Sequence, residues 1–219
     1  KQKLTLIWNA GIDFIFCVPF TRQFASISAE GFVKDILIHK IGIKEIVVGY
    51  DYTFGYGRQG NIILLREMGD KLGFKVHVVE PIHINQSLVS STSIRKLVQE
   101  GNLSDTKKLL GRDYQICGTV IKGKNRGGRL LGFPTANLKP IDELIPKVGV
   151  YAVTVNINDK SFYGVTNIGY NPTFNDNALS VETHLLDFSG DIVGKTIKVN
   201  FFQRLRDEKT FSDVKKLSD

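Results

Sequence analysis

The chain has 219 residues, 42% of them hydrophobic and 23% charged, and its 29 basic against 22 acidic side chains give a net charge of +7. Such a length holds one large domain or two small ones, and the composition is that of a soluble globular protein. No apolar run approaches the roughly 20 residues of a membrane span, and the first residues lack the pattern of a signal peptide, so the sequence predicts a cytoplasmic protein with no membrane partner.

The positive excess suits an anionic partner, a nucleotide or a nucleic acid. Cys17 and Cys117 have no Cys-x-x-Cys partner and are expected as buried, reduced thiols. His39, His77, His83 and His184 show no metal-ligand spacing.

In chain order, residues 12–18 and 45–49 read as short buried strands rich in β-branched side chains, and 74–79 as a third. Between the last two, residues 61–72 carry Ile62, Leu65 and Met68 on one face and stop at Gly73, as a helix should. Ser91 is placed to cap a helix that buries Ile94, Leu97 and Val98 and closes at Gly101. Ser104 is placed to cap a short successor ending at Gly111. Strands alternating with helices predict an α/β, Rossmann-like layer with a parallel sheet.

After about Arg112 the rhythm changes to period two. Tyr151, Val153, Val155 and Ile157 alternate with smaller or polar residues, and Asn158-Asp159-Lys160 reads as a hairpin turn. Residues 181–188 and 196–202 continue the pattern, which predicts an antiparallel β-barrel closed by a C-terminal helix bearing Phe211, Val214 and Leu217. The expected division is residues 1–111 and 112–219. The chain starts as if inside a helix and stops inside another, so a fragment of a longer protein is expected.

The stretch with chemical content is Gly123-Lys-Asn-Arg-Gly-Gly-Arg-Leu-Leu-Gly-Phe-Pro-Thr-Ala-Asn137. With Lys122, its cations Lys124, Arg126 and Arg129 fall within eight residues that contain no acid. Glycines let backbone N–H groups approach a polyanion closely. Thr135 and Asn137, two apart in an extended segment, put two neutral oxygens on one face. These suit an ion that also takes phosphate oxygens and waters. On residue chemistry alone, a solvated turn and a phosphate cradle both fit.

Leu131-Gly-Phe-Pro-Thr-Ala-Asn-Leu138 resembles the signature of the riboflavin kinase family. Four further segments match in order: Gly149-Val-Tyr-Ala-Val-Thr-Val155, Asn167-Ile-Gly-Tyr-Asn-Pro-Thr173, Glu182-Thr-His-Leu-Leu-Asp-Phe188 and Arg204-Leu-Arg-Asp-Glu208. The resemblance implies that Thr135 and Asn137 hold Mg²⁺ and ATP phosphates. It also implies that Gly123, Lys124, Arg129 and Gly132 contribute to the ATP site. Glu182 falls where the family keeps its base, and a carboxylate there would take the proton of the attacking alcohol. By period alone it is also an ordinary strand-edge glutamate. Arg204 and Arg206 lie near the family's flavin-closing region, as substrate ligands or as surface charges.

In the first half, Gly49-Tyr-Asp-Tyr-Thr-Phe-Gly55 with Arg58 follows a strand, where open α/β sheets bind ligands. Ser90-Ser-Thr-Ser-Ile-Arg95 opens a helix whose N–H groups can meet phosphate. Both segments resemble the FMN adenylyltransferase half of bacterial bifunctional FAD synthetases. The resemblance implies a nucleotide site at Ser90, Ser91, Thr92 and Arg95, and a ligand site at Asp51, Phe54 and Arg58. The two-histidine phosphate motif that opens such domains is not found in this sequence.

The expected function is therefore ATP-dependent phosphorylation of riboflavin to FMN, beside a partial module that adenylylates FMN to FAD. Riboflavin, FMN and ATP are the expected partners, and self-association is left open. A non-catalytic flavin- or RNA-binding barrel is the alternative. It is disfavoured because the aromatics do not interleave with the basic cluster as stacking platforms would, so no nucleic acid is expected.

Overall fold

The computed structural model describes residues 2–122, 135–141, 144–158, 160–170 and 179–208. The chain divides into two compact units, Lys3–His83 and Ile84–Asp219, the latter taking Lys1–Gln2 with it.

The first unit contains α1 (Gln2–Asn9), α2 (Arg22–Ala25) and α3 (Ala29–Gly31), which runs into wide π-helical turns over Phe32–Ile41. Strand β1 (Glu45–Gly49), α4 (Ile62–Leu72) and β2 (Lys75–Val79) follow, and β1 pairs with β2 in parallel, Val48 opposite Val78. Helix α4 forms where its spacing predicts. The Asn61 side chain accepts from the Leu64 N–H, Leu65 and Met68 face inward, and Gly73 ends the helix in the left-handed region at φ 77°. Leu65 is fully buried, which stabilises the unit by roughly 1.5–3 kcal/mol. Val33, Leu37, Val48, Phe54 and Phe74 complete this core.

The strand expected over residues 12–18 does not form. Ile12, Phe14, Phe16 and Val18 alternate as a strand would, yet all are exposed, Phe14 by 81%. Alternation gives a half-buried strand only when a neighbour takes its backbone hydrogen bonds, and β1 and β2 form a sheet of two. Cys17 lies in this segment as an exposed free thiol, against the burial expected for it; Cys117 is half-buried.

A short ribbon, β3 (His83–Ile84) and β4 (Ser87–Leu88), leads to α5 (Ser91–Glu100) and α6 (Leu103–Leu110). The caps lie one and two residues earlier than expected. Ser90 accepts from the Ser93 N–H and Asn102 from the Asp105 N–H, while Gly101 and Gly111 close the helices in the left-handed region. The α5–α6 pair packs with the strands that follow: Leu103 joins their core, and the Lys147 N–H donates to the Val98 carbonyl at 3.3 Å. The change of rhythm near Arg112 and the division into compact units therefore fall at different places.

Six strands close an antiparallel barrel: β5 (Tyr114–Ile121), β6 (Thr135–Pro140), β7 (Gly149–Ile157), β8 (Lys160–Tyr170), β9 (Leu179–Leu185) and β10 (Thr196–Arg206). Their order around the barrel is β10-β5-β6-β9-β8-β7. The β7–β8 hairpin turns where expected, with Ile157 opposite Lys160 and Asn158 at φ 53°.

Ile116, Tyr151, Val153, Val155, Ile168, Ile197 and Val199 are fully buried and fill the interior, so the inward positions make a packed core. Thr166 and Thr183 are also fully buried, and one hydroxyl donates to the other at 2.8 Å. The closing helix expected at Phe211, Val214 and Leu217 lies outside the described residues.

Candidate functional site

Because the interior is full, polar chemistry has to use the outward positions. On β6, Ala136 and Leu138 are buried and Thr135 and Asn137 half-buried, so the latter two share the outer face. On β9, Val181 and Thr183 are buried and Glu182 and His184 half-buried on that same face. On β8 the corresponding outward residue is Asn167.

Register brings these together. Asn137 is opposite Glu182, and Glu182 is opposite Asn167 on its other side. Thr135 is opposite His184. Glu182 thus lies on a central strand between two amide side chains, with a hydroxyl and an imidazole two residues along. Directly opposed residues have Cβ atoms about 4.5–5.5 Å apart, near enough for one ligand to touch all three strands.

A cavity of about 630 Å³ opens at the β5–β6 end of the barrel and meets this row at Thr135; Lys122, Phe188 and Asp191 line it together with the core residues Val120, Ala136, Leu185 and Ile192. Its volume is within the range of sites that enclose a nucleotide-sized molecule. Gly123, Lys124, Arg129 and Gly132, expected at the ATP site, lie outside the described residues.

Beyond β8 and β7, β10 bends through two register shifts, one after Phe201 and one after Arg204. Arg204 is largely buried in that bend. Its guanidinium donates to the Val148 carbonyl at 2.7 Å and to Asp207 at 2.5 Å, and its stem lies against Gly101 and Gly149. The hydrogen bond to Asp207 holds Arg204 above the usual guanidinium range, and the same bond holds the Asp207 carboxyl below the usual carboxylate range. Tyr151 beside it donates to the Lys147 carbonyl, and burial pushes its phenol up.

Arg204, read from the sequence as a substrate ligand or a surface charge, thus ties β10 to the segment before β7 through the Val148 carbonyl. Arg206 is exposed and opposite Val150, with one N–H to the Asp207 carbonyl at 3.2 Å.

Glu208 reaches the site from this bend. Its carboxylate rests against Gly169 of β8, where any Cβ would overlap it, and the Asn167 amide donates to it at 3.5 Å. Neither Asn167 nor Glu208 stands out in the sequence as a site residue. Both occur in segments with family likeness, but only the strand register and the β10 bend reveal their proximity to Glu182.

The adenylyltransferase residues fall in different compact units. Ser90 is half-buried at the cap of α5, while Ser91, Thr92 and Arg95 are exposed on its first two turns. Asp51 and Arg58 are exposed in the other unit, where Arg58 donates from Nε to Thr53 at 2.9 Å. Phe54, expected as a ligand contact, is a core side chain. It is 7% exposed, stacks on Tyr52, packs against Phe32 and covers Gly60. A ring engaged in this way supports the loop from beneath.

Comparison with known proteins agrees with two modules. Residues 110–219 match the riboflavin kinase family and residues 1–93 the FAD synthetase family. A bifunctional riboflavin kinase/FMN adenylyltransferase of Buchnera aphidicola is 38% identical over all of this chain and 71% of its own length. Proteins of the same name from Listeria monocytogenes and Escherichia coli are 39% and 35% identical, each over 99% of this chain and 69% of their own. A solved structure described as a macrolide-efflux protein from Streptococcus pneumoniae superposes with a TM-score of 0.88 at 33% identity, covering 99% of this chain and 69% of that one. The barrel, the ladder on its outer face and these relatives lead to one conclusion: the chain belongs to the bifunctional riboflavin kinase/FMN adenylyltransferase family.

Proposed function

We propose that the barrel transfers the γ-phosphate of ATP to riboflavin on its outer face, with Glu182 as the base. The observation that carries this reading is the single row Asn137–Glu182–Asn167 across β6, β9 and β8, flanked by Thr135 and an open cavity. A primary alcohol is a weak nucleophile, and a carboxylate that accepts its proton favours in-line displacement. The flanking amides can orient substrate oxygens without competing for that proton. We draw the functional boundary at residues 111 and 112.

Thr135 and Asn137 are the residues that would hold Mg²⁺. Among the described residues no group of three His, Cys, Asp or Glu forms a metal cage. A hydroxyl and an amide on one face instead fit an ion that arrives with phosphate oxygens and keeps several waters. When bound, Mg²⁺ neutralises charge that develops on the transferred phosphoryl group. Gly123, Lys124, Arg129 and Gly132 are proposed to surround the nucleotide, and Arg206 to approach the flavin.

FMN adenylylation is proposed for the α/β half, with Ser90, Ser91, Thr92 and Arg95 as a nucleotide site and Asp51, Phe54 and Arg58 as a ligand site. A cytoplasmic address is proposed as well; no helix among the described residues is long and apolar enough to cross a membrane. Self-association is proposed as well.

Incubation of the protein with Mg-ATP and riboflavin, and separately with Mg-ATP and FMN, followed by chromatography of the flavins, tests both halves. FMN from the first mixture is expected, and its absence with a folded barrel would remove the kinase reading.

A further inference from the structure

Resting on the kinase reading above, the geometry points to Glu208 as a specificity residue that accepts a hydrogen bond from the hydroxyl-bearing side chain of riboflavin. Lys122 and the cations that follow it in sequence join β5 to β6, and the cavity opens there, so polyphosphate belongs on the β6 side. In-line displacement sets the alcohol oxygen between Glu182 and the γ-phosphorus, so the rest of that substrate extends away from the polyphosphate, toward β8. From β6 to β8 is two strand spacings, about 10 Å, enough for the two molecules to lie side by side with only their reacting ends meeting at Glu182.

A carboxylate stands on the β8 side. Glu208 is seated there by three features: the Arg204–Asp207 bond that turns the chain after β10, the notch left by Gly169, and the Asn167 amide. A carboxylate repels phosphate and accepts hydrogen bonds from hydroxyl groups. A polyol chain lying along β8 toward Glu182 supplies several such donors, whereas the isoalloxazine ring offers one, its N3–H. Arg204 in this scheme is a positioning residue, which accounts for its burial.

The test uses the full chain and fluorescence titration with two flavins, riboflavin and lumiflavin, the second having the ring but no hydroxyls. Glu208→Ala is expected to weaken riboflavin binding about tenfold while lumiflavin binding and the KM for Mg-ATP change by less than about twofold. Glu208→Gln keeps an acceptor oxygen and is expected to recover most of the loss. Gly169→Ala, which displaces the carboxylate sterically, is expected to repeat the Glu208→Ala pattern. Riboflavin affinity unchanged in Glu208→Ala, or an equal loss for both flavins, would overturn the assignment. Glu182→Gln, assayed in parallel, separates the two readings: a dead Glu182→Gln beside a silent Glu208→Ala sinks only this inference, whereas an active Glu182→Gln sinks the site itself.

Discussion

Replacing Glu182 by glutamine isolates proton acceptance from everything else that the side chain does. The amide has nearly the same shape, and Asn137 and Asn167 remain opposite it on β6 and β8. Glu182 is half-buried on an outward position, and the barrel core lies on the other face of β9. The stability change should therefore stay within about 0.5 kcal/mol, as for surface substitutions. The chemical step is a different matter. A positioned general base contributes about 10²–10⁴ in rate, equal to roughly 2.7–5.5 kcal/mol of barrier. Turnover in Glu182→Gln should fall by that factor with riboflavin affinity nearly intact, because the lost interaction develops only as the proton moves. Formation of FMN under saturating riboflavin and Mg-ATP, with urea unfolding as control, measures both. A variant that keeps more than about half of its turnover would refute the role, since base catalysis of this kind cannot be so weak.

Thr135→Ala and Asn137→Ala should each raise the KM for Mg-ATP and lower turnover with the barrel still folded; unchanged values in both would mean that β6 holds no phosphate-bound ion. Arg204→Ala should destabilise the ligand-free protein by about 1.5–3 kcal/mol through loss of the charged bond to the Val148 carbonyl, the exposed Asp207 contact adding little, and urea unfolding reads this. The acid limb should show the Asp207 contact separately. Its carboxyl is held low by Arg204, so the contribution is complete above the unfolded value near 3.9 and disappears as pH falls through the lower folded value. The stability gap between the wild-type protein and Asp207→Asn should thus close on acidification below about pH 4, and a gap that widens there would contradict the pairing.

The parts of this site that were legible in the sequence are those fixed by neighbours along the chain. Thr135 and Asn137 share a face because strands alternate, whatever their partners. Helix α4 starts and stops where Asn61 and Gly73 require. The apposition of Asn137 and Glu182 is different, because β6 pairs with β9 across two intervening strands, and no local pattern encodes that register. Arg204 shows the same limit from the other side. In sequence, Arg204 reads equally as a substrate ligand or a surface charge, and only the bend in β10 shows its guanidinium turned toward the Val148 carbonyl. Residues 12–18 show that apolar alternation without a hydrogen-bonded neighbour does not make a strand.

The position of the row follows from how a six-stranded barrel is filled. Closure brings the inward side chains so close that Ile116, Tyr151, Val153, Ile168 and Val199 exclude any ligand. Thr166 and Thr183, both inward and buried, are opposite each other and share one hydrogen bond, so neither is turned to a ligand. Every group that meets a ligand must then stand on an outward position or beyond the strand ends. Strands that carry such groups outward hold them more firmly than loops would, because each backbone is bonded on both sides. Glu182 has this arrangement, with β6 on one flank and β8 on the other. A base on the central strand of three, with a hydroxyl and amide on one side and a seated carboxylate on the other, can receive two chemically different substrates from opposite directions. That asymmetry also explains why Gly169 matters: a single methyl group there would displace Glu208 and leave the alcohol side of Glu182 without its acceptor.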